Sequence, residues 1–595
     1  MIEFKIPQVG ENIKSGTVVN IFVKVGDTIK KGQDLLELET DKASLPVPST
    51  CDGVVKEILI KAGQEVTIGQ VVLKVEETSS TSGITRHPEG AKATEGSPKR
   101  SFAAAQDDKS KTEPQHLTPL PLSSTKDINL VVIGGGPGGY TAAFLAADLG
   151  LNVTLIDLDV NPGGVCLYRG CIPSKALLHA AKVLSESKEA KNFGIEFDKP
   201  KIDINKLRGW KDDVVKKLTG GLGQLSKQRK VKYIQGRATF VNSNTLNVAK
   251  NDGSSESLTF DRAIIATGSS PIQLPIAPKS LRIWDSTSAL EMKSIPKTML
   301  LVGGGYIGLE LGTVYAELGT QLDVVEMLPQ LMTGADRDVA SILEKRLRTI
   351  LSTIMVETKV LKMEETSSGI KVTFEDKTGQ TTSKEYEKVL VAIGRKPNTS
   401  GLGLEKTKVK VSDRGFIEVN LQRQTADASI YAIGDVTGQP MLAHKASHEG
   451  ITAVECIAGH KAAFEPKAIP AVVFTDPEIA WCGLTETEAK AQGKIVEVVK
   501  FPWAASGRSL TLDRTDGLTK LIIDPTTERI LGVSIVGPGA GELIAEGVLA
   551  IEMGAVVTDL KMTIHPHPTL SETLMETAES FFGQSTHIYR PKKTN

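Results

Sequence analysis

No stretch of this 595-residue chain approaches the roughly eighteen consecutive apolar residues that a membrane-spanning helix requires. The opening Met1-Ile2-Glu3-Phe4-Lys5 lacks the layout of a secretory signal, and the two absences together predict a cytoplasmic protein with no membrane partner. Charge of one sign is missing as well. With 70 basic and 71 acidic residues the formal net charge is -1, which offers no electrostatic case for binding nucleic acid or an anionic membrane. Cysteine is scarce and odd in number, five in all, which excludes the disulfide framework of a small secreted domain and leaves any paired cysteines to be working ones. Glycine, by contrast, is abundant at 55, as suits a chain with many tight turns and loops that approach phosphate. The length is too great for one hydrophobic core, so several domains are expected.

The first 76 residues contain an ungapped repeat. Gly16, Gly26, Gly32, Leu36 and Glu39 recur as Gly53, Gly63, Gly69, Leu73 and Glu76, always 37 positions later. Each half alternates apolar and polar residues and turns at a Gly-Asp or Gly-Gln pair, the pattern of short half-buried strands. Between the halves lies Glu39-Thr40-Asp41-Lys42-Ala43-Ser44, which the repeat places at a turn. A turn lysine is ordinarily a solvated charge. This repeat with a central Asp-Lys-Ala resembles a lipoyl domain, however, and the resemblance implies that Lys42 carries covalent lipoate. Biotin-carrying relatives usually present Met-Lys-Met instead. From Thr78 to Lys126 the sequence is rich in Ser, Thr, Pro, Lys and Glu, and reads as a mobile linker with a root-mean-square span of roughly 40 Å.

Regular structure resumes with the apolar strand Ile128 to Ile133, which runs into Gly134-Gly135-Gly136-Pro137-Gly138-Gly139, a helix and a second strand ending at Asp157. The same order returns at Met299 to Val302, Gly303-Gly304-Gly305-Tyr306-Ile307-Gly308, a helix, and a strand ending at Glu326. One glycine-rich turn is a weak signal; two in the same frame, each followed by an acid 23 residues after its first glycine, predict two βαβ dinucleotide sites. Gly134, Gly136 and Gly139 in the first, and Gly303, Gly305 and Gly308 in the second, allow a tight turn and let helix amides approach a pyrophosphate. Asp157 and Glu326 are placed to accept from ribose hydroxyls. Glu326 repels a 2'-phosphate and is followed by Met327-Leu328-Pro329-Gln330, without arginine, so NAD is favoured over NADP.

Cys166 and Cys171 flank Leu167-Tyr168-Arg169-Gly170 at the start of a helix, with Lys175 close behind. Two unrelated core cysteines, or half of a metal site, are the alternatives, but no further ligands at metal spacing stand nearby and no metal is expected. A helix start and a lysine favour a thiolate. Near the C-terminus, His565-Pro566-His567-Pro568-Thr569-Leu570-Ser571-Glu572 offers a histidine to move a thiol proton and a carboxylate to orient it. Thr569 and Glu572 also have capping-box spacing, and His567 alone could be a surface histidine.

From Asp127 onward the chain resembles the disulfide-reducing flavoenzymes. The combination GGGPGGY, CxxxxCIPSK, GGGYIGLELG, YAIGD and HPHPTLSE is most similar to the dihydrolipoyl dehydrogenases. The resemblance implies that Cys166 exchanges with substrate, Cys171 faces the flavin, and His567 is the acid/base group with Glu572 as its partner. It assigns Lys175, Ala238, Thr267, Gly268, Asp435 and Ala443 to FAD beside the first glycine turn and Asp157. It assigns Glu310, Val360, Ala392, Gly394 and Arg395 to NAD beside the second turn and Glu326. Two departures stand out. Tyr168-Arg169 replaces the usual Asn-Val, which bears on substrate access and flavin tuning, and Asp157 replaces a glutamate.

The implied fold is α/β, two Rossmann-like dinucleotide-binding domains and an α+β C-terminal dimerisation domain, preceded by a small all-β lipoyl domain. The expected division is lipoyl 1–76, linker 77–126, FAD 127–275, NAD 276–397, FAD/central 398–467 and interface 468–595. The implied protein is an obligate homodimer that oxidises dihydrolipoyl groups of 2-oxo acid dehydrogenase complex components and reduces NAD, with His567 reaching the cysteines of the other subunit. Rival readings are a glutathione reductase, disfavoured by Glu326; a mercuric reductase, disfavoured because no cysteine follows Cys482; and a lipoyl carrier docked by an inert flavoprotein body. The identity of the parent complex is not written in the sequence.

Overall fold

The computed structural model describes residues 2–6, 15–30, 33–39, 44–67, 69–76 and 128–589; Lys42 and the expected linker at 77–126 lie outside them. The chain divides into two compact units, Met1–His116 and Leu117–Asn595.

Among its described residues the first unit has eight strands, β1 (Ile2–Lys5), β2 (Ser15–Ile21), β3 (Thr28–Ile29), β4 (Asp34–Glu39), β5 (Ser44–Pro48), β6 (Gly53–Ile58), β7 (Glu65–Thr67) and β8 (Val71–Glu76). They form two four-stranded sheets, ordered β1-β8-β6-β3 and β5-β4-β2-β7. The sequence repeat exchanges the two sheets, carrying β2 onto β6, β3 onto β7 and β4 onto β8. It is visible bond by bond. Gly26 N–H donates to Val55 O at 2.8 Å and Gly63 N–H to Val18 O at 2.7 Å, so each half holds the turn of the other. Val18, Leu36 and Leu38 meet their equivalents Val55, Leu73 and Val75 in one core, all at most 1% exposed. A half-repeat alone would leave this apolar face in water. Strands β4 and β5 pair with Glu39 opposite Ser44, and so frame the segment that contains Lys42.

In the second unit, a parallel sheet places Asn129–Ile133 between Asn152–Asp157 and Arg262–Ile265, with Ile430–Ala432 beyond the latter. A second sheet, wholly parallel, places Thr298–Val302 between Gln321–Val325 and Lys388–Val391. The central strands are buried along nearly their whole length, as expected for parallel strands covered on both faces. The C-terminal sheet is antiparallel, ordered Ala471–Val473, Glu478–Gly483, Ile530–Gly537, Leu518–Ile523, Glu497–Pro502. One apolar cluster runs from Leu177 on the helix after the cysteines, through Leu301, Leu322 and Leu343, to Val473 and Val536 in the C-terminal sheet. The cysteine helix is therefore fixed by both neighbouring layers.

A polar junction joins the same layers. Lys520, 0% exposed, contacts Asp336 at 2.9 Å, Asp338 at 3.1 Å and Glu486 at 2.7 Å. Asp336 also accepts the N–H groups of Glu486 and Thr487, both at 2.9 Å, and so satisfies the start of the helix Glu486–Ala491 from outside it. Burial by itself would raise the pKa of Asp336, but these hydrogen bonds and Lys520 outweigh it and the value falls below the ordinary one. Asp338 is lowered in the same way, its burial outweighed by Lys500 and Lys520. Carboxylates with depressed pKa stabilise the fold above the unfolded-state value of about 4, and the contribution is lost as pH falls through the folded-state value. Lys520→Met should strand these carboxylates and cost about 3–5 kcal/mol at neutral pH, read as a lower denaturation midpoint. The difference from the parent protein should shrink in acid, below about pH 4, as the carboxylates take up protons.

Candidate active site

The two glycine turns are built alike. Gly134 and Gly303 take φ of +105° and +106°, a conformation that disfavours a side chain. The acid at the end of each second strand turns back onto its own glycine loop: Asp157 accepts the Gly135 N–H, and Glu326 accepts the Gly304 N–H at 2.6 Å. The other oxygen of each takes an amide two residues on, Asp159 at 3.0 Å and Leu328 at 2.8 Å. A Cβ at Gly139 would stand 1.8 Å from Gly134 O, so the third glycine of the first turn is demanded by packing. A Cβ at Gly305 would meet nothing within 4 Å, and one at Gly136 only Gly164 Cα at 4.0 Å. The protein itself does not fill the space in front of these two residues. That openness fits a pyrophosphate at each helix N-terminus.

The cysteine segment lies against the first turn. A Cβ at Gly164 would come within 2.5 Å of Gly136 Cα. A short helix, Gly164–Arg169, carries Cys166; the chain then breaks at Gly170, and Cys171 opens the 19-residue helix Cys171–Glu189. A side chain at Gly170 would press on Val165 O at 2.8 Å, so glycine lets the two helices fold together and brings the thiols into contact. The hydrogen bond from the Cys166 thiol lowers the pKa of Cys171 to about 7 against the effect of burial, and the Lys175 charge lowers it further. The same bond, with burial, pushes Cys166 well up. One proton is thus held on Cys166 while Cys171 is the thiolate. Tyr168 and Arg169 bond the segment before the cysteines: the Tyr168 hydroxyl exchanges hydrogen bonds with the Asn161 backbone at 3.1 and 3.2 Å, and Arg169, in the wall of the same cavity as the cysteines, grips Asp159 at 2.6 and 3.2 Å.

Lys175 Nζ pairs with Glu310 at 2.8 Å and lies 4.3 Å from the centre of the Phe474 ring. Glu310, 3% exposed, also accepts the Phe474 N–H at 3.0 Å. Arg395 donates to Ser269 Oγ at 2.7 Å and Ser269 to Asp435 at 2.5 Å, so these three form a chain. All of these groups except Phe474 line one cavity of about 660 Å³, of a size suited to a bound cofactor. Its wall includes Gly134, Gly136, Asp157, Cys166, Cys171, Lys175, Ala238, Thr267, Gly268, Asp435 and Ala443.

Away from this cavity's wall, His567 Nδ1 meets Glu572 Oε1 at 2.8 Å, and the His567 side chain is 74% exposed. Glu572 Oε2 accepts the Thr569 N–H at 2.7 Å. Burial, which would raise the Glu572 pKa, is outweighed by that amide and by His567, so the carboxyl lies below its usual value. His565 differs: its side chain is 4% exposed, with Nε2 2.7 Å from Glu546 and Nδ1 2.9 Å from Thr563 O. Of the two histidines in the motif, only His567 presents an accessible ring. The expected capping box is half formed. Glu572 bonds the Thr569 amide, but Ser571 is the N-cap residue, and the Thr569 hydroxyl donates to Pro566 O at 2.7 Å.

Residues 128–450 match the pyridine nucleotide-disulphide oxidoreductase profile, and 469–578 match the dimerisation domain of the same proteins. The chain belongs to the pyridine nucleotide-disulphide oxidoreductases. Residues 2–75 match the biotin- and lipoyl-attachment profile, described as biotin-requiring enzyme. A dihydrolipoyl dehydrogenase of Haemophilus influenzae is 51% identical over 79% of this chain and 98% of its own length. One from Thermus scotoductus is 48% identical over 78% and 99%. Among solved structures, LpdA of Mycobacterium tuberculosis aligns with a TM-score of 0.71 at 28% identity, covering 76% of this chain and 99% of its own. The HOCl-induced flavoprotein disulfide reductase RclA of Escherichia coli, in its Cu(II) complex, aligns at 0.68 and 27%, again over 76% of this chain and 99% of its own. Dihydrolipoyl dehydrogenases use FAD and NAD, and the N-terminal match indicates lipoate attachment. The mixed α/β body with a small β domain before it is the fold of this oxidoreductase family with a lipoyl module added. No helix among the described residues is long and apolar enough to cross a membrane.

In this oxidoreductase, Glu310 and Arg395, read from sequence on the NAD side, line the same cavity as the residues read for FAD. Gly139 packs behind the first turn, and Ala392 lies beneath the second, its oxygen 2.6 Å from a Cβ built on Gly303. Val360 is on the strand Lys359–Glu365, and Gly394, at φ +128°, accepts the Ile272 N–H at 3.0 Å. Lys42 lies outside the described residues. Sequence reasoning missed Tyr306 and Ser269. Tyr306 sits inside the second glycine motif, lines the cavity, and has its hydroxyl pKa pushed up to about 12 by burial. Ser269 carried no signal, since its role depends on Arg395 and Asp435 meeting in space. In the reduced protein, carbamidomethylation of Cys171 should rise with pH through a midpoint near 7, because the thiolate is the reactive form. Lys175→Met should move that midpoint to higher pH, as followed by mass spectrometry of the labelled peptide.

Proposed function

We propose that this chain is a dihydrolipoyl dehydrogenase that acts as a homodimer on lipoyl groups of a 2-oxo acid dehydrogenase complex, and that Lys42 bears a lipoyl group of its own. The observation that carries the reading is the Cys166 and Cys171 pair in the wall of the cavity formed by the first glycine turn, Lys175 and Asp435. These residues suit FAD: the open Gly136 would leave room for its pyrophosphate, Asp435 and Asp157 would offer carboxylates to its hydroxyls, and Lys175 with Glu310 stands beside the thiols. Bound there, FAD would supply an acceptor for the electron pair of the dithiol, with NAD, held by the second turn and Glu326, as the final acceptor. The proposed domain limits are those given above, with the linker at 77–126 and the interface domain from 468.

The chain's own groups do the following. With Cys166 and Cys171 joined as a disulfide, a dihydrolipoyl thiolate attacks the Cys166 sulfur; the Cys166–Cys171 bond breaks and Cys171 leaves as a thiolate. Lys175 stabilises that charge. His567 Nε2 takes the proton of the second lipoyl thiol, whose sulfur displaces Cys166 and closes the lipoyl disulfide. The substrate has then lost two electrons and the cysteine pair has gained them. Glu572, through Nδ1, holds the imidazole with Nε2 outward and stabilises its protonated form. Because His567 is so exposed within its own chain, we assign it to the cysteines of the partner subunit. Leu549, Met553, Met562 and Ile564, 62 to 95% exposed and close to His567 in sequence, supply an apolar surface for that contact. The reading of the flavoprotein body as an inert dock is not favoured by relatives of the same name that match over nearly their full length.

His567→Gln should lower dihydrolipoamide oxidation by a factor of about 10² to 10⁴ without loss of FAD. His565→Gln should act mainly on stability; a larger kinetic effect there than at His567 would show the wrong histidine had been chosen. Lys42→Arg should leave oxidation of free dihydrolipoamide nearly unchanged. In lipoylated parent protein, NADH should generate thiols at Lys42 that alkylation and mass spectrometry detect. Their absence in active protein would show that this lipoyl group is not a substrate of its own chain.

A further inference from the structure

Trp503 is fully buried in the C-terminal sheet, in a slot cut by two glycines. Cβ atoms at Gly517 and Gly537 would stand 2.2 and 2.3 Å from the indole. The ring has no room to shift, and its N–H points at Thr519 Oγ1, 2.9 Å away. The Thr519 hydroxyl donates in turn to Thr573 Oγ1 at 2.8 Å, and the Thr573 hydroxyl to the Leu570 carbonyl oxygen at 2.7 Å. Thr519 is 0% and Thr573 1% exposed, so water does not compete for these bonds. Each hydroxyl accepts one hydrogen bond and donates one, which gives the chain a single direction and lets its bonds polarise one another.

The chain ends between the two groups assigned to proton transfer. Leu570 lies between His567 and Glu572 in the motif, and its carbonyl also receives the Thr573 N–H at 3.2 Å. That carbonyl shapes the first turn of the helix Glu572–Phe581, and Glu572 stands at its first position. From there the Glu572 carboxylate reaches both the Thr569 amide and His567 Nδ1. Rotation of the Leu570 peptide would move the carboxylate that aims the imidazole.

We propose that Thr519 and Thr573, anchored by Trp503, are positioning residues for proton transfer at His567, acting through Leu570 and Glu572. The inference rests on His567 being the base of the proposed reaction. Thr519→Val is nearly isosteric, but leaves the Trp503 N–H without its acceptor and the Thr573 hydroxyl, which still donates to Leu570, without its donor; Thr519→Ser keeps the link. With full-length FAD-loaded protein, kcat and KM for dihydrolipoamide would be measured from about pH 6 to about 9, together with FAD content and NADH–ferricyanide activity. The expected result for Thr519→Val is a kcat about tenfold lower with KM little changed, a displaced pH limb, and intact FAD content and ferricyanide activity. Thr519→Ser should recover kcat to within about twofold and restore the limb.

If Thr519→Val does not accumulate folded, Trp503→Phe, which removes only the first donor, should show the displaced limb in smaller degree. An unshifted limb with parental kcat in the folded variant, or a loss that serine does not rescue, overturns the inference. A His567→Gln protein with undiminished turnover would instead remove the base assignment itself. A slow His567→Gln beside an unaltered Thr519→Val sinks the positioning role alone.

Discussion

The second unit depends on how the helix Cys171–Glu189 is seated. It lies along the helix Tyr306–Glu317, and ion pairs hold both of its ends there: Lys175 with Glu310 at 2.8 Å and Lys188 with Glu317 at 2.6 Å. Both glutamates are buried, while Lys188 is half exposed, so the Lys175–Glu310 pair is the less open to screening by salt. Because Cys171 is the first residue of one helix and the second glycine turn precedes the other, this seating sets the separation between the dithiol and the second nucleotide turn. Glu310 goes one step further, since its other oxygen holds the Phe474 amide and so brings in the C-terminal sheet.

The two glycine turns show one solution used twice. In each, a carboxylate from the adjoining strand clasps an amide of the loop and another two residues on, so the acid shapes the turn as well as offering an acceptor to a ribose. The price of shortening that acid by one methylene in the first turn is absorbed locally. Asp157 still reaches both amides, while Arg169 and Tyr168, the other departure from the family pattern, tie down Asp159 and Asn161 immediately beyond it. The two departures therefore meet in one place.

Much of this was legible in the sequence because its causes are local. The glycine turns, the 37-residue repeat and the cysteine helix follow from spacing within a few dozen residues. The residues that motif resemblance assigned to FAD, Gly139 apart, line one cavity. What sequence could not supply was pairing over long distances. The resemblance assigned Glu310 and Arg395 to the second nucleotide, yet their partners in the structure, Lys175 and Ser269, are more than a hundred residues away in the chain. The capping reading at Thr569 held only in part: Glu572 reaches the Thr569 amide, but the helix begins from Ser571 as its N-cap. The motif resemblance singled out His567 over His565; in the structure burial and the Glu546 contact set the two apart.

The exchange of sheets in the first unit has a bearing on its use as a carrier. Glu39, where the chain enters the segment with Lys42, and Glu76, where it leaves toward the rest of the protein, are equivalents under the repeat, one at the end of β4 and one at the end of β8. If Lys42 bears the lipoyl group and the linker follows Glu76, as proposed, attachment point and tether begin from two copies of a single position, one in each sheet. A change in the length of that linker would then alter reach and leave the pairing of β4 with β5, which frames the segment with Lys42, as it is.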